Sequence, residues 1–252
     1  MIDVVDHGSI RELRLARPPV NALDPTLIAA LRAALADAVG ARREAIVLSG
    51  APGRFSGGLD VPALLPLDRA TMHEVWKSFF GLMRDIAAAP VPTVAALTGH
   101  SPAGGTVLAI CTDYRVLAEG PYMVGLNEVQ VGLPVPAVIV QALTYVVGAR
   151  QAERLATGGL LLGPPEALRV GLVDEVVPLP EVVPRAIAWA TELLARPRAA
   201  MSATRLLTRR PLVAAFDSLG DASLAPILDS WFAPESQATL RALAARLKKK
   251  PG

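Results

Sequence analysis

The stretch TGHSPAGG, residues 98–105, decides how this sequence folds and which chemistry it can support. It follows VPTVAAL (91–97), an apolar run typical of a buried strand, and it leads into GGTVLAIC, whose pattern predicts a helix beginning at the glycine pair. The first backbone N–H groups of a helix have no acceptor within that helix, so they can bind negative charge placed before them. The stretch therefore predicts an anion-binding turn between a strand and a helix.

The same stretch nearly matches the nucleophile elbow of serine hydrolases, with Ser101 as the nucleophile. That elbow uses the backbone N–H of the residue after the serine, and Pro102 has no N–H. It also needs a histidine later in the chain, whereas His7, His73 and His100, the three histidines of the sequence, all precede Ser101. We therefore expect no hydrolase of this type.

A second glycine-rich turn, RFSGGLD (54–60), follows another apolar run, EAIVLSG (44–50). If the two turns meet, one N–H group from each can form an oxyanion hole, which stabilises negative charge on an ester or thioester oxygen. Neither turn has the spacing of a dinucleotide-binding or phosphate-binding loop, and no Cys/His cluster has the spacing of metal ligands. These patterns favour an acyl compound as the ligand, with no metal.

The composition is that of a chain with one large hydrophobic core. Of 252 residues, 52% are apolar and 19% are charged, and the net charge of +2 is too small to predict a nucleic-acid or membrane partner. A single cysteine, Cys111, excludes an internal disulfide. The first residues resemble neither a signal peptide nor a transit peptide, and no apolar run is long enough to span a membrane, so we expect a cytoplasmic protein.

Alternation of strand-like and helix-like segments predicts an α/β core over residues 1–195. From about Pro180 the pattern turns nearly all helical, and residues 196–252 are expected to form a helical C-terminal region. Such a tail often packs on a neighbouring subunit, which favours an oligomer. The end of the tail, RLKKKPG, is either a solvated terminus or a phosphate-binding segment.

Five motifs resemble those of the crotonase family, the enoyl-CoA hydratases and isomerases, in order and spacing over residues 10–195. They are VNALDP, RFSGGLDV, TGHSPAGGTVLAICTDYRV, GLNEVQVGLPVP and PPEALRVGLVDEVVP. Within that family the sequence is most similar to the mitochondrial-type 3,2-trans-enoyl-CoA isomerases. The resemblance implies a crotonase-like ββα spiral core, a C-terminal trimerisation region, a homotrimer or dimer of trimers, and an acyl-CoA thioester substrate with no separate cofactor.

The resemblance also implies which residues form the site. The family's oxyanion pair matches the backbone N–H groups of Leu59 and Gly104, and Gly57 falls beside them in the substrate-binding turn. Hydratases of the family carry two glutamates, and here Val107 stands at the first of these positions while Glu128 fills the second. An apolar pocket, with walls drawn in part from residues 61–80, should raise the pKa of Glu128 yet leave it ionised near neutrality.

With one carboxylate, an isomerisation is favoured over a hydration, because adding water across a double bond usually needs a second acid–base group. We expect Glu128 to act as the sole proton shuttle when a double bond moves from C3 to C2 of an enoyl-CoA through a dienolate. Two alternatives stay open: a hydratase-like or other acyl-CoA reaction of the family, and a non-catalytic acyl-CoA-binding subunit. Asp60 is expected to cap a helix, and Asp113 and Arg115 to be structural partners.

Overall fold

Nine β-strands form two sheets in the computed structural model, which describes residues 1–249. In chain order the strands are β1 (Ile2–His7), β2 (Ile10–Leu15), β3 (Ala45–Ser49), β4 (Gly53–Arg54), β5 (Thr93–Leu97), β6 (Gly99–Pro102), β7 (Tyr114–Ala118), β8 (Val124–Gly125) and β9 (Glu175–Val177). The larger sheet has the order β1-β2-β3-β5-β7-β9, and the smaller one has the order β4-β6-β8. Only β1 and β2 pair antiparallel; all other neighbours run parallel.

Helices connect and cover these sheets. They are α1 (Pro25–Gly40), α2 (Val61–Leu64), α3 (Arg69–Ala87), α4 (Gly104–Ile110), α5 (Ala137–Val147), α6 (Ala149–Gly158), α7 (Pro164–Arg169), α8 (Val182–Leu194), α9 (Arg198–Asp217), α10 (Asp221–Phe232) and α11 (Pro234–Lys249). Two short 3-10 helices, Glu128–Val131 and Leu179–Glu181, complete the described chain. Lys250 to Gly252, the end of the basic tail, lie outside the described residues.

The chain repeats one unit three times: a strand in the larger sheet, a strand in the smaller sheet, then a helix. The units are β3-β4-α2, β5-β6-α4 and β7-β8 with the 3-10 helix Glu128–Val131. This is the predicted ββα spiral, although the sequence contains no matching internal repeat. Because the strands of the smaller sheet are parallel neighbours, the turns that follow them are brought to one side of the molecule.

Both faces of the larger sheet are covered, as the alternation of side chains requires for a parallel sheet. In β3, Ile46 and Leu48 face the main core, whereas Val47 faces a second cluster that includes Ala186 and Ala190 of α8. Neither β1 nor α10 was predicted from the sequence. The second omission has a physical reason: α10 follows Gly220 and contains Pro226, which are signals that usually mark loops.

Two buried arginines join α9 to the core. Arg205 and Arg209 both pair with Asp113, at 2.8 and 3.0 Å, and Arg209 also donates to the carbonyl oxygen of Cys111 at the end of α4. Asp113 accepts in addition from the backbone N–H of Thr93. Asp113 is therefore a structural partner as predicted, but its partners lie on α9 and β5.

Within residues 1–249 no single helix has the length and apolar composition needed to cross a membrane. The bent pair α9 and α10, which meet at 67°, satisfies both criteria only when the two helices are taken together.

Replacing Arg209 with methionine should destabilise the fold by about 3 kcal/mol, because the change leaves a buried carboxylate with one of its two cations. Urea denaturation followed by circular dichroism measures this. The neighbouring Arg210 is exposed, so Arg210→Met serves as the control and should change stability by less than about 0.5 kcal/mol. Equal midpoints for the Arg209→Met variant and the unaltered protein would contradict the role given to this pair.

Candidate active site

The turn at residues 55–61 has one backbone N–H group with no acceptor among the described residues, that of Leu59. Beside it, the Gly58 N–H donates to the Ser56 hydroxyl at 3.2 Å, and the Asp60 N–H donates to the Leu23 carbonyl at 3.0 Å. The other N–H groups of the turn also have backbone carbonyl acceptors. Those of Phe55 and Ser56 donate to the His100 carbonyl, that of Gly57 to the Val20 carbonyl, and that of Val61 to the Leu59 carbonyl. Leu59 is thus the residue of this turn whose amide is available to a ligand.

The start of α4 presents the second set of free amides. The Ala103 N–H donates to the Gly125 carbonyl at 2.8 Å and the Val107 N–H donates to the Ala103 carbonyl at 2.9 Å. Between them, the N–H groups of Gly104, Gly105 and Thr106 have no acceptor within residues 1–249. Ala103 has φ +47°, a conformation that non-glycine residues rarely adopt, and this bend separates β6 from α4.

The two turns are in contact. A Cβ atom added to Gly104 would lie 3.3 Å from the backbone nitrogen of Leu59 and 3.2 Å from the Cα of Gly58. Since an amide nitrogen lies about 2.5 Å from the Cβ position of its own residue, the nitrogens of Leu59 and Gly104 are within about 6 Å of each other. One oxygen at the usual N···O distance of about 2.9 Å can therefore accept from both.

Strand β8 positions Glu128 beside the start of α4. It pairs with β6 through Ser101 and Val124, and the Gly125 N–H donates to the Thr106 hydroxyl at 2.7 Å. Glu128 follows three residues later as the first residue of its 3-10 helix, and Gln130 of that helix donates to the Gly159 carbonyl at 2.7 Å. The pairing of the smaller sheet thus brings the predicted carboxylate to the predicted amides.

Glu128 and the two amides share one cavity of about 260 Å³. The Oε2 atom of Glu128 is buried and has no hydrogen-bond partner, and burial raises the pKa of this carboxyl to about 7. The direction agrees with the sequence analysis. The expectation that Glu128 stays ionised near neutrality holds only in part, because a group with a pKa of about 7 is about half ionised there.

The rest of the cavity lining is mostly apolar, and Asn127 and Ser230 are its polar residues besides Glu128. Val107, at the position of the first hydratase glutamate, lines the cavity, and Glu128 is the only charged side chain that residues 1–247 contribute to the lining. Residues 61–80 contribute Val61, Trp76 and Phe79, as expected. Sequence reasoning missed the contribution of α10 and α11: Ile227, Ser230, Trp231, Leu240, Leu243 and Leu247. The spacing of the three leucines along one helical face was the available signal.

Gly57 also lines the cavity, but its N–H group donates to the Val20 carbonyl at 2.7 Å and is not free. A Cβ atom at Gly57 would lie 3.0 Å from the side chain of Val20. Gly57 therefore contributes space to the wall of the cavity, whereas its neighbour Leu59 contributes the donor.

Comparison with known proteins agrees with this geometry. A sequence model of the family described as enoyl-CoA hydratase/isomerase matches residues 6–215. The chain belongs to this family. The human enoyl-CoA delta isomerase 1, mitochondrial, is 32% identical over 251 residues, which are 98% of this chain and 83% of that protein. A probable enoyl-CoA hydratase, echA17, from Mycobacterium avium is 35% identical over 208 residues, 80% of each chain.

Among solved structures of the hydratase/isomerase family, the human mitochondrial delta3-delta2-enoyl-CoA isomerase has a TM-score of 0.95 with this chain. Its sequence identity is 31%, and the match covers 100% of this chain and 99% of that one. The resemblance drawn from the five motifs, including the similarity to isomerases, is therefore confirmed. The predicted cytoplasmic location is contradicted, because curated family members from human, mouse and rat are named as mitochondrial proteins.

The structure of this chain does not support the serine-hydrolase alternative. Ser101 is fully buried and its hydroxyl has no partner. The adjacent His100 is exposed, and its Nδ1 accepts from the Met123 N–H at 3.2 Å. Asp60 caps α2 through the Ala63 N–H, as predicted.

Arg115 forms an ion pair with Asp174 at 2.7 Å. Arg115 is therefore a structural residue, as predicted, and its acidic partner is Asp174, whereas Asp113 pairs with Arg205 and Arg209.

Replacing Glu128 with glutamine should stabilise the fold at pH 8 and do so far less at pH 4.5. A folded-state pKa raised from 4.5 to about 7 means that the native state favours the protonated form, so stability falls as pH rises through this interval. At pH 8 the ionised carboxylate costs about 3 kcal/mol, which the neutral amide avoids.

Urea denaturation at the two pH values measures the difference, with Glu153→Gln at an exposed helix position as the control. A Glu128→Gln variant whose stability relative to the unaltered protein is the same at both pH values would show that this carboxyl is not buried as described.

Proposed function

We propose that this protein is a 3,2-trans-enoyl-CoA isomerase, which moves a double bond from C3 to C2 of an enoyl-CoA thioester. The observation that carries the proposal is the single buried carboxylate, Glu128, in an apolar cavity that also contains the free amides of Leu59 and Gly104. The names of the human relatives point to the same reaction. The coenzyme A group is part of the substrate, and no separate cofactor takes part.

The reaction needs one base and one oxygen-binding site. The ionised Glu128 removes a proton from C2, and the electron pair delocalises onto the thioester oxygen to give a dienolate. The N–H groups of Leu59 and Gly104 donate to that oxygen and stabilise its negative charge more than they stabilise the neutral carbonyl. Glu128, now a carboxylic acid, returns a proton to C4. The double bond then lies between C2 and C3, and the carboxylate is regenerated.

Isomerisation suits this site better than hydration. Hydration adds a water molecule, and the position from which a second glutamate would assist is occupied by the buried Val107. A carboxyl group with a pKa near the working pH can both take and return a proton, which is what a shuttle requires. The name of the Mycobacterium avium relative keeps hydration as the competing reaction of the same site.

The Glu128→Gln variant should lose isomerase activity by about a thousandfold, because an amide cannot accept the C2 proton. Conversion of a 3-enoyl-CoA is followed by the ultraviolet absorbance of the conjugated 2-enoyl thioester, with Glu153→Gln as the control that keeps full activity. Retention of near-normal turnover by Glu128→Gln would remove Glu128 from the mechanism. Faster hydration of crotonyl-CoA than isomerisation would favour a hydratase, and acyl-CoA binding without any product would favour a binding subunit.

The pH dependence of kcat/KM should report the same carboxyl group. Because only the ionised form acts as the base, kcat/KM should rise about tenfold per pH unit below the pKa of about 7 and level off above it. Steady-state rates from pH 5 to 9 give this profile. A rate that is independent of pH over this range, or that falls as pH rises towards 7, would contradict the assignment of the base.

A further inference from the structure

A second cavity, of about 370 Å³, adjoins the one that contains Glu128. The two cavities share four lining residues, Pro134, Pro136, Ile227 and Ser230, which together form the wall between them. The wall combines α10 with the loop that follows the 3-10 helix of Glu128. The volume open to an acyl chain therefore depends on whether this wall is closed.

Ile227 is the part of the wall that can determine its closure. Pro134 and Pro136 are fixed by their rings to the backbone of the loop, and Ser230 has a small polar side chain. Ile227 carries the one large aliphatic side chain among the four, and it is half-buried against the hydrophobic core. Shortening this side chain would join the two cavities without altering the loop.

The volume of the first cavity sets the length of chain that fits in front of the wall. A cavity of about 150 Å³ holds a six-carbon benzene molecule. In proportion, the cavity of about 260 Å³ holds about ten carbon atoms, including the thioester carbon and the three carbons of the migrating double bond. Apart from Glu128, none of the lining residues within 1–247 is charged, so a charged chain end would be buried without an ionic partner and an uncharged chain is favoured.

We propose that Ile227 closes the acyl end of the cavity and restricts the protein to uncharged acyl chains of up to about ten carbons. This specificity rests on the proposed isomerase function, since it assumes that the thioester lies at Leu59 and Gly104. The chain then passes Glu128 and extends between α3 and α10. A longer chain meets Ile227 and must displace it.

Kinetics with unbranched 3-enoyl-CoAs of six to fourteen carbons test this specificity. Each methylene buried in the first cavity is expected to raise kcat/KM about fourfold. In the unaltered protein the rise should stop near ten carbons and reverse by fourteen. In the Ile227→Ala variant the rise should continue, so that the ratio of kcat/KM for fourteen against eight carbons increases at least tenfold.

Val138→Ala serves as the matched control, because Val138 lines the second cavity and not the first; this variant should leave the optimum chain length unchanged. Ile227→Phe keeps the wall closed with a larger side chain and should shorten the optimum. It also tests the proposal if Ile227→Ala folds poorly.

The outcomes separate this inference from the proposed function. An active enzyme whose length profile is unchanged by Ile227→Ala and by Ile227→Phe, or whose kcat/KM in the unaltered protein still rises at fourteen carbons, overturns the role of Ile227 and leaves the isomerase assignment intact. Absence of isomerisation at every length overturns the proposed function instead. Calorimetric affinities for saturated acyl-CoAs of the same lengths then measure binding in the cavity without a reaction. The chain length that binds most tightly is expected to shift between variants in the same way.

Discussion

Two backbone N–H groups without acceptors, those of Leu59 and Gly104, are the feature on which the rest of the site depends. A buried donor without a partner costs about 1–3 kcal/mol, so a folded chain normally pairs every such group. Here the neighbours of Leu59 are all paired, through the Ser56 hydroxyl and through carbonyl groups of the 20–23 segment. A ligand oxygen that accepts from both free groups relieves this cost, and an oxygen that gains negative charge during a reaction relieves more of it.

Other contacts in the fold fix the position of the Glu128 carboxylate relative to the amides of Leu59 and Gly104. Thr106, in the first turn of α4, accepts from Gly125 and so fixes β8, which leads to Glu128. At the other end of α4, Arg209 and Arg115 donate to the carbonyl groups of Cys111 and Thr112, where positive charge stabilises a helix. The helical C-terminal region therefore contacts the C-terminal end of α4 through Arg209. Its helices α10 and α11 form part of the cavity wall. The pKa of Glu128 is raised by this same enclosure.

How much the sequence predicts depends on the distance over which each feature is determined. The glycine turns, the Asp60 cap and the free amide at Gly104 follow from a few adjacent residues, and all were predictable. That Glu128 meets these amides follows from the order of parallel strands, and here the family resemblance supplied what local pattern could not. The pairs of Asp113 with Arg205 and Arg209 span more than 90 residues, and the wall at Ile227 lies on a helix whose Gly and Pro signals indicate a loop. These depend on tertiary packing, which no local pattern contains.

The most direct test of this account is a crystal structure of the Glu128→Gln variant with a 3-enoyl-CoA bound. The account predicts a thioester oxygen within about 3.2 Å of the backbone nitrogens of both Leu59 and Gly104. It also predicts that the side chain at position 128 lies alongside C2 to C4 of the acyl chain. A thioester oxygen that contacts neither nitrogen, or an acyl chain whose C2 and C4 lie out of reach of that side chain, would contradict it.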